Sequence, residues 1–300
     1  MKLTKRNYFS KKANLEFMSV SQFKRFSECQ AAALAEIKGE YEQEKTTALL
    51  VGSYIDAYFE GTLDQFKEEN PEVFNISIKE RSDTIANIQK VAPELLTKNG
   101  NWKPGALTTA RNLYPIFFDT IYSLKADYVQ AEVIIKRIER DKLFMKHMSG
   151  KKQVIMTGEI CGVPVKIKID SLHPDMIDDL KIVKDFQHVY DEEKGRLPWF
   201  EYWGYDLQGA VYQEIVRQNK GKVLPFNLDA ATKEKVTDID IVNLNQSLLD
   251  FALGRFKEDV EMFDAIKKGI IEPERCGKWE YCKKTKVLTA PTDSEEFYLI

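Results

Sequence analysis

The sequence predicts an α/β (α+β) chain, with a mainly helical N-terminal half followed by a mixed central sheet flanked by helices. Three observations carry this. Helix signals dominate the first 150 residues. From Gln153 onward, short β-branched runs follow one another between turn residues. Their order of three strands, one helix, two strands and one helix suits helices packed on a mixed sheet.

In chain order, Ser19-Val20-Ser21-Gln22 has the S-x-x-Q spacing of a capping box and opens a helical pattern over 19–39. Further helical patterns cover 46–59, 82–98, 103–126 and 131–148. Strands follow at 153–161, 163–171 and 176–183, the first reversal falling at Gly162-Val163. A helix over 198–219 is rich in aromatics, with Trp199, Phe200, Tyr202, Trp203 and Tyr205 read as core packing. Strands at 222–230 and 235–242 precede a helix over 245–268. The expected organisation is a single domain, 1–300. It comprises a helical lead-in (1–150), the catalytic sheet with its helices (151–268) and a C-terminal tail (269–300).

The chemistry concentrates in two of these strands. Asp170 closes Val165-Lys166-Ile167-Lys168-Ile169-Asp170, and Asp179-Leu180-Lys181 lies inside the next apolar run. If the turn 171–175 joins them as antiparallel neighbours, two carboxylates and an ammonium meet at one sheet position. Asp179 and Lys181 are two apart, so strand alternation puts both on one face. Hard dications such as Mg²⁺ take oxygen ligands. Two carboxylates and a backbone carbonyl, that of Leu180, suffice to hold one. A lysine beside it can orient the attacking water or stabilise charge at phosphorus. Gln208 and Tyr212, at i and i+4 of one helix, share a face. They could support the site or touch DNA, or they could pack on the sheet.

The order Gly52-x-x-x-Asp56, Asp170, Asp179-x-Lys181 and Gln208-x-x-x-Tyr212 resembles the PD-(D/E)xK nuclease superfamily. The branch it resembles most contains exodeoxyribonuclease VIII (RecE), lambda-type exonucleases, Cas4 and the RecB and AddB nuclease domains. The resemblance implies a restriction-endonuclease-like core, with Asp170, Asp179 and Lys181 as catalytic residues. It implies metal binding by Asp170, Asp179 and the Leu180 carbonyl. Asp56 stands where many relatives carry a histidine; it is an acceptable oxygen ligand or a solvated helix residue. Gln153 stands where relatives often place Glu or Gln facing the site, and Glu132 and Glu159 are further acidic candidates. The implied cofactor is Mg²⁺ or Mn²⁺.

Some relatives hold an iron–sulfur cluster with one N-terminal cysteine and three C-terminal ones. Here Cys29, Cys276 and Cys282 fall in comparable places, but Trp279 occupies that of a middle cysteine. Such clusters ordinarily need four thiolates, so the expectation is an incomplete, metal-free remnant whose tail still packs on the N-terminal helix. His147, His173 and His188 show no metal-ligand spacing, and only His173, in the turn between the acidic strands, falls near the expected DNA site.

With 300 residues, 43% hydrophobic and 30% charged, the chain can bury a substantial core. No apolar run approaches the roughly 20 residues of a membrane span, and the basic start lacks a signal-peptide core. The expected location is therefore cytoplasmic, in a bacterial host. A net charge of −3 argues, weakly, against a nonspecific nucleic-acid coat but not against a local DNA channel. Candidate basic patches include Lys2 to Lys12, Lys151 with Lys152, and Lys166 with Lys168. No nucleotide-binding phosphate loop is present.

The expected function is a Mg²⁺-dependent deoxyribonuclease resecting linear double-stranded DNA ends for recombination. The resemblance further implies phage or prophage origin, 5′-to-3′ polarity, a RecT-like annealing partner and a ring-shaped oligomer. The alternatives are a Cas4-like or structure-specific endonuclease, and a catalytically silent DNA-binding module.

Overall fold

Capping side chains set the first helix starts. The computed structural model describes residues 1–192, 194–288 and 290–291. The last residues of the expected tail, 292–300, lie outside the described residues. Helix α1 (Lys11–Glu16) begins at Ser10, whose hydroxyl accepts from the Ala13 N–H. Helix α2 (Val20–Glu28) opens with the expected capping box, Ser19 and Gln22 each accepting the other's backbone N–H. At Cys29 the backbone becomes extended (φ −163°, ψ 103°), so the pattern over 19–39 makes two helices, α2 and α3 (Gln30–Lys38).

Helices α4 (Thr47–Glu60) and α5 (Leu63–Glu69) come next, then strand β1 (Phe74–Glu80) and helices α6 (Thr84–Val91) and α7 (Ala106–Leu113). Strand β2 (Phe118–Leu124) pairs antiparallel with β1, Phe74 opposite Leu124. The first half is mainly helical as expected, but the helix expected over 103–126 ends at Leu113 and gives way to β2. Pro93 and Pro115 stop α6 and α7, because the residue before a proline disfavours helix. Beyond Pro115, Phe118-Asp-Thr-Ile-Tyr-Ser-Leu124 alternates as a strand. Helices α8 (Gln130–Glu139) and α9 (Lys142–His147) divide the 131–148 pattern, because Asp141 caps a new start at the Leu143 and Phe144 N–H groups.

The sheet comprises β3 (Lys151–Ile160), β4 (Val163–Leu172) and β5 (Ile177–Val183), close to their expected bounds. A small hairpin, β6 (Val189–Asp191) with β7 (Gly195–Leu197), leads into α10 (Trp199–Tyr202) and α11 (Tyr205–Lys220). The expected single helix over 198–219 is broken at Gly204, whose φ of 63° lies in the left-handed region glycine tolerates. Strands β8 (Phe226–Thr232) and β9 (Ile239–Leu244), helix α12 (Gln246–Lys267) and helix α13 (Glu280–Lys284) complete the described elements.

Two compact units result, residues 45–135 in one and residues 1–44 with the chain from 136 onward in the other. In the smaller unit, Ile88, Leu96, Ala110 and Phe118 form a core cluster. In the larger, the sheet order is β3-β4-β5-β8-β9, with β5 and β8 parallel and the other pairs antiparallel. It is therefore the mixed sheet the sequence predicts. The parallel pair requires a crossover, and α11 supplies it. Every residue of β8 is buried, as expected of a strand covered on both faces. Helix α12 packs on α2 through stacked rings, Phe23 on Phe256 (4.5 Å) and Phe26 on Phe263 (5.3 Å).

Candidate active site

The β4–β5 ladder is unusually short. It contains only Leu172 opposite Ile177 and Ser171 opposite Asp178. One step further, Asp170 and Asp179 stand opposite each other on one face, where the strands have stopped bonding. Instead of joining the β4 ladder, the Leu180 N–H donates to Asp170 Oδ2 at 3.2 Å. The parted strands leave a notch edged by two carboxylates.

Asp179 is buried, and α11 fixes its orientation, since Gln208 Nε2 donates to Asp179 Oδ1 at 2.7 Å. Asp179 Oδ2 faces the Lys181 ammonium two residues along, the same-face pairing the sequence predicts. Burial lowers the Lys181 pKa, but Asp179 and then Asp170 outweigh it, leaving it above its ordinary value. Lys181 is thus a fixed positive charge at any neutral pH.

Tyr212, one turn after Gln208, donates its hydroxyl to the Lys168 carbonyl (3.1 Å), holding α11 to β4 two residues before Asp170. Burial, then the Tyr8 and Asp179 charges, push this phenol well above its usual range, so it acts as a donor and not an anion. Gln153 is buried with a positive φ of 55°, uncommon for a side-chain-bearing residue. Its flanking pairs, Lys152 with Ser171 and Val154 with Ile169, leave it opposite Asp170.

Lys24 is a cation that sequence reasoning missed. Its ammonium donates to the Trp203 carbonyl (2.6 Å) and lies 5.2 Å from the Tyr205 ring centre, while Lys181 lies 5.1 Å from the same ring. Burial, then repulsion by Lys181, lower the Lys24 pKa to about 8, against the opposing fields of Glu28, Asp206 and Asp179. A cleft of about 220 Å³ beside it is lined by Tyr8, Phe9, Lys24, Lys166, Gln208 and Tyr212.

Residues 19–100 and 111–285 match the family described as a PDDEXK-like domain of unknown function, DUF3799. The chain belongs to this family. Among solved structures, the crystal structure of a “Putative exonuclease” from Eubacterium rectale is 40% identical, covering 99% of this chain and 98% of that one, with a TM-score of 0.79. No curated protein matches. The family and this structural relative support a nuclease with a PDDEXK-like fold.

In this PDDEXK-like chain the donor set suits a hard dication. Asp170 and Asp179 present carboxylate oxygens at the parted strands, where Asp170 Oδ2 accepts from the Leu180 N–H and Asp179 Oδ2 faces the Lys181 ammonium. Asp56 lies half-buried on α4, in the smaller unit, and Glu132 is exposed on α8. Glu159 does not belong to the site. It is exposed opposite Pro164, six residues and roughly 20 Å along β3 from Gln153. Lys166 also departs from expectation. It is 1% exposed, donating to the Tyr8 carbonyl (2.5 Å) and Asn14 Oδ1 (2.7 Å), so it is a buried anchor and not a DNA-facing patch.

The three cysteines of the PDDEXK-like chain's ends do come together. Cys29 Sγ lies 3.4 Å from Cys282 Sγ, and Cys276 Sγ lies 3.9 Å from Cys282 Sγ. Cys161 is exposed in the β3–β4 turn. Burial raises the Cys276 pKa, but hydrogen bonds led by the Trp279 N–H bring it down to about 7. The tail packs on α3 as expected, Ala31 N–H donating to the Glu274 carbonyl and Glu274 N–H to Gln30 Oε1.

Sequence reasoning missed a second constellation, on the opposite face of β5. His147 Nδ1 lies 2.8 Å from Asp178 Oδ1 and 3.4 Å from Asp229 Oδ1, and His173 Nε2 lies 3.5 Å from Asp178 Oδ2. His147, Asp178 and Asp229 are dozens of positions apart, so no spacing rule joins them. The available signal was Asp178 itself, which, next to Asp179 in a strand, must face the other way.

Proposed function

We propose that this chain is a Mg²⁺- or Mn²⁺-dependent deoxyribonuclease that resects the ends of linear double-stranded DNA. The observation that carries the reading is the meeting of Asp170, Asp179 and a permanently charged Lys181 where β4 and β5 part, with Gln208 locking Asp179.

Asp170 and Asp179, with the Leu180 carbonyl, would hold the cation. The dication supplies Lewis acidity and a more acidic bound water. Lys181 orients the attacking water and stabilises the negative charge that grows on the phosphate oxygens as the P–O bond to the leaving oxygen breaks. Gln208 keeps Asp179 in one rotamer. Tyr212 and Gln153 hold the strand bearing Asp170. Lys24, charged below pH 8, draws the DNA backbone towards the cleft. The proposed context is a cytoplasmic recombination exonuclease of phage or prophage origin. It cuts 5′ to 3′, encloses DNA as a ring and passes its product strand to a RecT-like annealing protein. The cysteine cluster is assigned no iron–sulfur role, since the fourth thiolate is missing.

End-labelled linear duplex and closed circular duplex, incubated with Mg²⁺ or with EDTA, test the reading. The expected result is metal-dependent loss of the linear DNA alone. Cutting of the circle would replace exonuclease with endonuclease, and binding without cutting in either would leave a silent DNA-binding module.

A further inference from the structure

The cluster behind β5 has the features of a second cation site. Asp178 pairs in register with Asn227 of β8, and Asp229 lies two residues beyond Asn227, so both aspartates share the face opposite Asp179. His147, the last residue of α9, reaches both carboxylates. One donor atom from each of the three residues falls within a 4.8 Å span.

Asp178 and Asp229 are each 0% exposed. Neither oxygen of Asp229 accepts a hydrogen bond, nor does Asp178 Oδ2. A carboxylate pair buried in this way is costly unless charge is supplied to it. His147 Nδ1 carries at most one proton, and it points between both aspartates. Lys152 adds positive charge to the field at Asp229, while Asp178, Asp179 and Asp170 add negative charge to it.

The outer partners are those that orient ligands. Asn227 Nδ2 donates to Asp178 Oδ1 at 2.8 Å, and Asn243 Nδ2 in turn donates to Asn227 Oδ1 at 2.8 Å. Ser171 Oγ fixes the end of α9 by donating to the His147 carbonyl at 2.6 Å. We propose that His147, Asp178 and Asp229 bind one transition-metal dication of the zinc or manganese class on the sheet face opposite the catalytic carboxylates, with His173 Nε2 beside them donating to the His147 carbonyl at 2.9 Å. Imidazole nitrogen with carboxylate oxygen favours such metals over Mg²⁺. A cation here ties α9, β5 and β8 together directly behind Asp179. The inference does not depend on the nuclease reading.

The test uses the full chain carrying Asp179→Asn and Cys282→Ser, which removes the catalytic-face and thiolate alternatives. This protein is loaded with Zn²⁺ or Co²⁺, desalted and analysed for metal content, and X-ray absorption at the zinc edge reads the ligands. The expected result is one equivalent of retained metal in a nitrogen- and oxygen-bound environment with imidazole. Adding Asp229→Asn or His147→Gln is expected to weaken Co²⁺ binding at least tenfold. No retained metal, a ligand shell without imidazole, or undiminished binding in folded Asp229→Asn and His147→Gln proteins would overturn the proposal. Should those variants fail to fold, the stoichiometry and ligand shell of the starting protein decide.

Discussion

At the scale of single residues, the account assigns different work to groups a few ångströms apart. In the proposed mechanism Lys181 acts at phosphorus, and Gln208, bonded to Asp179, acts only through it. Lys181→Ala is therefore expected to cut the turnover rate by about 10²-fold or more, the magnitude typical of losing one stabilising group in a transition state. Gln208→Ala should weaken metal activation instead, seen as a higher Mg²⁺ concentration for half-maximal rate. Lys24 gives a pH signature. Its pKa falls from 10.5 to about 8 in the fold, so the folded chain holds this proton less tightly than the unfolded one. Its contribution to stability is full above pH 10.5 and is lost as pH falls through 8. Its charge runs the other way, present below pH 8 and absent above. DNA affinity measured from pH 7 to 9 should fall through about pH 8, and Lys24→Arg should remove that step.

At the scale of elements, α11 matters because it delivers Gln208 and Tyr212, and it can do so only by lying close to β8 and α12. A Cβ on Gly209 would come within 2.8 Å of the Phe226 ring and 3.0 Å of Leu249 Cδ2. Gly209→Ala should cost about 1–3 kcal/mol by overpacking, checked by urea denaturation. Phe263→Ala, which removes a ring stacked between α12 and α2, should cost about 3–5 kcal/mol. The sequence made much of this architecture legible. Ser19 and Gln22 announced α2, the helix expected over 245–268 is α12, and the Asp179–Lys181 spacing put both on one face. What escaped has physical causes. The breaks at Cys29 and Gly204 fall inside continuous apolar patterns, so periodicity ran through them. Strands β1 and β2 are largely exposed and lack the buried, β-branched signature that marked β4 and β5. The cluster of His147, Asp178 and Asp229 exists only once strand pairing is known.

At the scale of the whole molecule, a net charge of −3 means that a nuclease of this kind must hold DNA by a local surface, and Lys24 with the aromatic cleft beside it is the surface proposed. Binding confined to a few phosphates predicts a shallow fall of affinity with salt, measurable as the slope of log K against log salt. Among the described residues no helix is long and apolar enough to cross a membrane. The central claim is that the parted β4–β5 face performs hydrolysis. The measurement that tests it most directly is the single-turnover rate of linear duplex hydrolysis across a Mg²⁺ titration, comparing the native chain with Asp170→Asn and Asp179→Asn. The account predicts Mg²⁺-dependent hydrolysis in the native chain and its loss in both variants, with DNA binding retained. Hydrolysis that survives both substitutions, or proceeds in EDTA, would contradict it.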